Sequence, residues 1–238
     1  MPRNDETLAT KKPIAPLGII PMESISGVGA RVDQYLSEWR ADRSSDHLDE
    51  VTKLSYHSGS YIVAAKVPRF GSGEAKGEIH QSVRGLDVYI MTDVTNYSLT
   101  YKLCGQVNHY SPDDHYADLK RIIAAIEGKA NRITVILPFL YESRQHKRSS
   151  RESLDCAIAL QELINMGVDN IITFDAHDPR VQNAIPLKGF ETVQPAYQFI
   201  KGILKNVKDL KIDNVGTAGV GEAESTSIAV VIASISAP

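Results

Sequence analysis

The chain has 238 residues, of which 42% are hydrophobic and 23% charged, with a formal net charge of −3; these are ordinary globular proportions with room for a real core. That balance excludes general attraction to nucleic acid or membranes, so any polyanion site must be local, and the longest apolar runs, such as 133–140, are far too short to span a bilayer. Two cysteines, Cys104 and Cys156, support no disulfide framework, and no apolar signal core follows Met1, so a reducing cytoplasm is the expected home.

In chain order, residues 1–60 read as an attached segment. Residues 1–22 are Pro-rich and polar. Val28, Val32, Tyr35, Leu36 and Trp39 then space out one amphipathic helix within 25–39, and 44–49 reads as a solvated loop. From Tyr61 the rhythm becomes βαβα. Strands are expected at 61–67, ended by Pro68, and at 86–92. A helix follows from Asp113 or Asp114, with Leu119, Ile122, Ile123 and Ile126 on one face. A third strand covers 132–139, with the unbroken apolar run of a strand covered on both sides. A helix over 151–166 buries Leu154, Ala157, Ile158, Leu160, Leu163 and Ile164 and stops at Gly167. A fourth strand at 168–174 and a helix at 198–207 complete the pattern. This alternation predicts an α/β, Rossmann-like fold: a parallel sheet with right-handed crossovers and helices on both faces.

In such sheets ligands gather beyond the carboxyl ends of the strands. That places interest on the loops after Thr92, Phe139 and Phe174. The loop after Phe139 carries Arg144, Gln145, His146, Lys147 and Arg148. A charge run taken alone is a solvated loop, but its place at a strand end favours binding of polyphosphate oxygens. The loop after Phe174 reads Asp175-Ala176-His177-Asp178. Asp175 and His177, two residues apart as they leave a strand, are expected to point the same way and to face one ligand through magnesium-bound water, a phosphate or a proton. The other reading has Asp175 cap a turn and His177 pack. Cys104, His109, Asp113, Asp114 and His115 match no zinc spacing and read as a polar, tyrosine-rich loop. Gly71, Gly73 and Gly77 lack a Gly-Lys-Ser/Thr ending and read as a turn. No Gly-x-Ser-x-Gly elbow occurs.

Three ordered blocks resemble the ribose-phosphate diphosphokinase family. RFGSGEAKGEIHQSVRGLDVYI, residues 69–90, is similar to that family's RFSDGEIxVxIxESVRGxDVFI pattern without gaps. ITVILPFLYESRQHKRSSRES, residues 133–153, resembles its ITxVIPYFxYARQDRK stretch, and VDNIITFDAHDPRVQ, residues 168–182, resembles its ADxVxTxDLHxxQIQ stretch. The resemblance implies a phosphoribosyltransferase-like fold over 61–214. It implies transfer of the diphosphoryl group of magnesium-ATP to ribose 5-phosphate, giving phosphoribosyl diphosphate and AMP, in a homo-oligomer. By the same resemblance Phe70 and Glu74 hold the adenine of a neighbouring subunit's ATP, Arg144 and Gln145 contact ATP, and His177 meets magnesium and the phosphates with Asp175 in support. No nucleic-acid or membrane partner is implied.

Departures accompany the match. Ser72 and His146 stand where the family pattern has Asp, and residues 95–112 look inserted. After Asn214 the tail, 215–238, holds no Lys or Arg and no paired acids before Gly216-Thr217-Ala218-Gly219. The expectation is therefore an N-terminal piece with ATP-side residues present, no assigned catalytic residue and no activity alone. The alternative is a non-catalytic associated or regulatory subunit.

Overall fold

The computed structural model describes residues 14–43 and 59–206. The expected loop at 44–49 and the atypical tail lie outside those residues. Five parallel strands form the central sheet in the order β1-β4-β7-β8-β9: β1 Leu17–Pro21, β4 Asp87–Met91, β7 Arg132–Leu137, β8 Asn170–Phe174 and β9 Gly189–Val193. Between β1 and β4 lie helix α1, Ser26–Arg43, and a short antiparallel ribbon of β2, Ala65–Lys66, and β3, Glu78–Ile79. Between β4 and β7 lie an antiparallel hairpin, β5 Thr100–Leu103 and β6 Gln106–His109, then α2, Pro112–Ile126. Helix α3, Asp155–Asn165, joins β7 to β8; a 3₁₀ turn, Pro179–Ala184, joins β8 to β9; α4, Ala196–Asn206, follows.

Alternation along the strands sends apolar side chains to both faces. One face gathers Ile20, Val88, Ile90, Ile133, Val135, Leu137 and Ile171 against Leu119, Ile122, Ile123 and Ile126 of α2 and Cys156, Leu160 and Leu163 of α3. On the other face Ile19, Ile25, Tyr61 and Met91 cluster with Val32 and Leu36 of α1. Through α1 the chain reaches the outer side of β1, where Ile19 N–H donates to Tyr61 O at 2.7 Å and Val63 N–H to Ile19 O at 2.8 Å. It then returns to pair β4 on the inner side of β1. The expected α/β parallel sheet with helices on both faces is the fold observed.

Local chemistry sets the helix ends. Ser111 caps α2: its hydroxyl accepts from Asp114 N–H while the Asp114 carboxylate accepts from Ser111 N–H, with Pro112 in the first turn. At the end of α3, Gly167 takes φ 99°, its N–H donates to Ile164 O at 3.0 Å and that of Val168 to Leu163 O at 3.1 Å. That paired pattern closes a helix on a left-handed residue, as expected for Gly167.

Four features differ from the sequence reading. Leu17–Pro21, in the stretch read as an attached segment, is strand β1 of the sheet. Only Ala65–Lys66 of 61–67 forms a regular strand. Residues 100–109, read as a polar loop, form the β5–β6 hairpin. Helix α3 begins at Asp155 instead of 151, because Glu152 is engaged by Ser149 and Ser150 and the Ser153 carbonyl by Gln145. Its buried stripe is consequently Cys156, Ala159, Leu160 and Leu163, and Ile158 is half exposed.

Candidate functional site

Because β7 and β8 are adjacent and parallel, the loops that leave them emerge side by side at the carboxyl end of the sheet. The loop after β7 is built as a turn held from inside. Leu140 and Ser143 are buried, Ser143 N–H donates to Leu140 O at 3.2 Å, and Gln145 N–H donates to Glu142 O at 2.9 Å. The Gln145 side-chain amide donates to Ser153 O at 2.7 Å, and the Gln145 backbone carbonyl accepts from Cys156 N–H in the first turn of α3. Gln145 thus ties the loop to the start of α3. Arg144, Lys147 and Arg148 are exposed on it, which leaves their charges facing solvent. Tyr141 anchors the loop to α2 by stacking on Tyr116 at 4.2 Å and donating to Asp113 at 2.7 Å.

The loop after β8 turns at once. Asp175 adopts φ 46°, which ends strand alternation, so the expected sharing of a face by Asp175 and His177 through strand periodicity does not apply. Asp175 N–H donates to Val193 O at 3.0 Å, and Ala176 N–H donates to the Thr192 hydroxyl at 3.0 Å. His177 is exposed, and its ring meets that of His146 edge-on with centroids 5.2 Å apart. His146 reaches the buried Asp178 with Nε2 3.4 Å from Oδ2, and its buried Nδ1 has no hydrogen-bond partner among the described residues. Asp178 also accepts from Arg180 N–H at 2.9 Å and from its guanidinium at 2.6 Å. Those Arg180 hydrogen bonds hold the Asp178 carboxyl well below the usual carboxylate range, against the opposing effect of burial. The contact between the two loops therefore runs through His146 and Asp178. The sequence reading noted His146 only as a departure and left Asp178 without a role.

Phe70 and Glu74 occupy a different feature. They flank the tip of the β2–β3 ribbon, where Phe70 N–H donates to Glu74 O at 2.7 Å and Gly73 N–H to Phe70 O at 2.9 Å. The glycines here form the expected turn. Phe70 is 52% exposed, unusual for its side chain, and Glu74 is exposed beside it. Behind them Arg69 is buried, with Nη2 3.3 Å from both Asp114 and Asp118 of α2. Burial works against the Arg69 charge, but the Tyr110 hydrogen bond and the two carboxylates hold its pKa raised. Asp118 lies deeper, so burial pushes its carboxyl up despite Arg69 and Arg121.

In the third loop, after β4, the polar groups satisfy one another: Asp93 accepts from Thr95, and Asn96 donates to Ser24 O at 2.7 Å. A cleft of about 480 Å³ lies beside β1, between Met22–Ser26-side residues and Val67, Tyr110 and Asp118. Among the described residues no group of three His, Cys, Asp or Glu side chains could hold a metal by itself, and no helix is long and apolar enough to cross a membrane. Cys104 is exposed and His109 stacks on Tyr97.

The profile of the N-terminal domain of ribose phosphate pyrophosphokinase matches residues 41–167. Ribose-phosphate pyrophosphokinase B of Dictyostelium discoideum is 29% identical over 174 residues, covering 68% of this chain and 48% of that protein. The ribose-phosphate pyrophosphokinase of Corynebacterium ammoniagenes is 26% identical over 195 residues, covering 80% and 56% respectively. The chain thus spans about half the length of the curated relatives it matches. In fold it resembles the phosphoribosylpyrophosphate synthetase of Mycobacterium smegmatis, with a TM-score of 0.55 at 19% identity over 80% of this chain and 52% of the other. With the profile matching more than half of its residues, the chain belongs to the ribose-phosphate pyrophosphokinase family and carries that family's N-terminal domain.

Proposed function

We propose that the chain is the ATP-holding part of a ribose-phosphate diphosphokinase. The observation that carries this reading is the pair of neighbouring strand-end loops, one with Arg144 facing solvent, the other with His177 exposed over His146. In the proposed reaction the anomeric hydroxyl oxygen of ribose 5-phosphate attacks the β-phosphorus of ATP and loses its proton to solvent. The α–β phosphoanhydride bond breaks and AMP leaves with the electron pair. Such transfer needs positioning and charge neutralisation more than covalent help from the protein.

The exposed side chains of the two loops support the proposed roles. Arg144 offers a planar fork to phosphate oxygens, Gln145 fixes that fork's backbone, and His177 offers a ring nitrogen beside the phosphates. Asp175 is the carboxylate of the same loop. This donor set fits magnesium brought in by the nucleotide, because that ion keeps waters and takes one or two protein ligands alongside substrate phosphates. When bound, the ion would offset charge on the phosphate oxygens. Phe70 and Glu74 sit on a separate ribbon, a placement consistent with their serving the ATP of a second copy in a homo-oligomer. The unit that carries this site is proposed to comprise strand β1, Leu17–Pro21, together with the expected 61–214.

Isothermal titration of the chain with magnesium-ATP tests the reading. Saturable binding is expected. Arg144→Ala should weaken it by about 1.5–3 kcal/mol, the worth of a charge-assisted contact, whereas the exposed Lys201 on α4 should tolerate alanine with little change. Lys188 is unsuited to that control, since its ammonium pairs with Asp169 at 2.8 Å. Absent binding would overturn the reading in favour of a non-catalytic associated subunit.

A further inference from the structure

The β5–β6 hairpin leans on the tip of the β2–β3 ribbon, and three kinds of contact join them. Cys104 N–H donates to Gly71 O at 3.2 Å. Gly73, at φ 89°, lets Leu103 approach so closely that a Cβ on it would lie 2.9 Å from Leu103 Cδ1. The Arg69 guanidinium sits 4.3 Å from the ring centroid of Tyr101 and 4.5 Å from that of Tyr110, and these two rings meet edge-to-face at 5.3 Å. The same guanidinium donates to the Tyr110 hydroxyl at 3.0 Å, to Gly73 O at 3.1 Å and to Asp118 at 3.3 Å. One side chain therefore ties the ribbon tip, the hairpin and α2 together.

A ribbon of two-residue strands is marginal by itself, because it makes few hydrogen bonds and buries little. Its tip would ordinarily be mobile and would lose that freedom on meeting a ligand, which weakens binding. Here the tip is held from behind while Phe70 and Glu74 face outward. We propose that Arg69 and the β5–β6 hairpin form a positioning clamp that orders residues 70–74 before the nucleotide arrives. Arg69 and Tyr101 are positioning residues in this scheme. Its benefit to nucleotide binding rests on the reading above, in which the tip contacts adenine; the clamp itself rests on the contacts just described.

Tyr101 is the place to test it, since it is half-buried on the hairpin and remote from the sheet core. Amide hydrogen exchange and magnesium-ATP titration would be measured on the full chain with Tyr101→Ala and Tyr101→Phe. The alanine variant should exchange about tenfold faster at 70–74, keep wild-type protection in β7 and β8, and bind ATP roughly fivefold more weakly, in proportion to one lost cation–π contact. The phenylalanine variant keeps the ring face and should match wild type in both. If Tyr101→Ala does not fold, Leu103→Ala removes the contact with Gly73 and gives the same readout. Unchanged exchange at 70–74 would overturn the clamp, as would faster exchange with unchanged affinity in a chain that binds ATP. Faster exchange at 70–74 in a chain that does not bind ATP would support the clamp while removing the nucleotide reading, so the two failures are distinct.

Discussion

His177 separates a ligand-facing histidine from a packed one. Its side chain is exposed, and its ring meets that of His146 edge-on. His177→Ala should therefore change stability by no more than about 0.5 kcal/mol and weaken magnesium-ATP binding by roughly tenfold. A packed histidine would instead cost about 2–4 kcal/mol of stability, as for other large-to-small core changes; thermal melting and titration of one sample decide between them. Cys156 is the opposite case, 1% exposed at the start of α3. Burial pushes its thiol up to about 11, with Glu142 adding to the effect. The folded state then holds the proton more tightly than the unfolded chain, so stability is flat below the ordinary thiol value and falls as pH rises from about 9 to about 11. The loss should be on the order of 2 kcal/mol, visible in denaturant melts across that range and absent in Cys156→Ala. Thiol reagents at neutral pH should label the exposed Cys104 and spare Cys156.

Among the elements, those whose local chemistry and tertiary burial agree were legible in the sequence. The apolar stripe of α2 and the Gly167 stop of α3 are such cases. Gly167→Ala should cost about 1 kcal/mol, because φ 99° strains a side chain even though no atom lies within 4 Å of the added Cβ; a urea melt with unchanged slope would check it. The start of α3 was not legible. Residues 151–154 have helical composition, but Glu152 and the Ser153 carbonyl are claimed by the neighbouring loop. Nor was the β5–β6 hairpin, whose Tyr101 and Tyr110 pack on an arginine distant in sequence instead of on an apolar core.

For the molecule as a whole, β1 decides whether the sheet closes its core. It is paired on both sides, to β4 and to residues 61–63, and Ile20 is fully buried against Ile90 and α2. Ile20→Ala should destabilise the protein by about 2–4 kcal/mol, and a chain beginning at Tyr61 should fail to fold cooperatively. Calorimetry of both would test this; a sharp native transition in the shortened chain would show that β1 is dispensable. Leu17–Pro21 escaped the sequence reading because five residues beside three prolines carry no period of their own, and their burial comes from partners some seventy residues away.

The sequence by itself determined the α/β class, the helices, three strands of the sheet and the positions of Arg144, Asp175 and His177 at strand ends. Periodicity, helix stops and breakers act within a few residues, so they can be read from a string. Only the tertiary structure decided that β1 and β9 belong to the sheet, that His146 bridges the two loops through Asp178, and that Gln145 ties its loop to the start of α3. Only the tertiary structure also showed that the segment read as an insertion grips the ribbon tip through Arg69. Each of these depends on which distant groups the folded chain brings within hydrogen-bonding or van der Waals distance, and no local pattern encodes that.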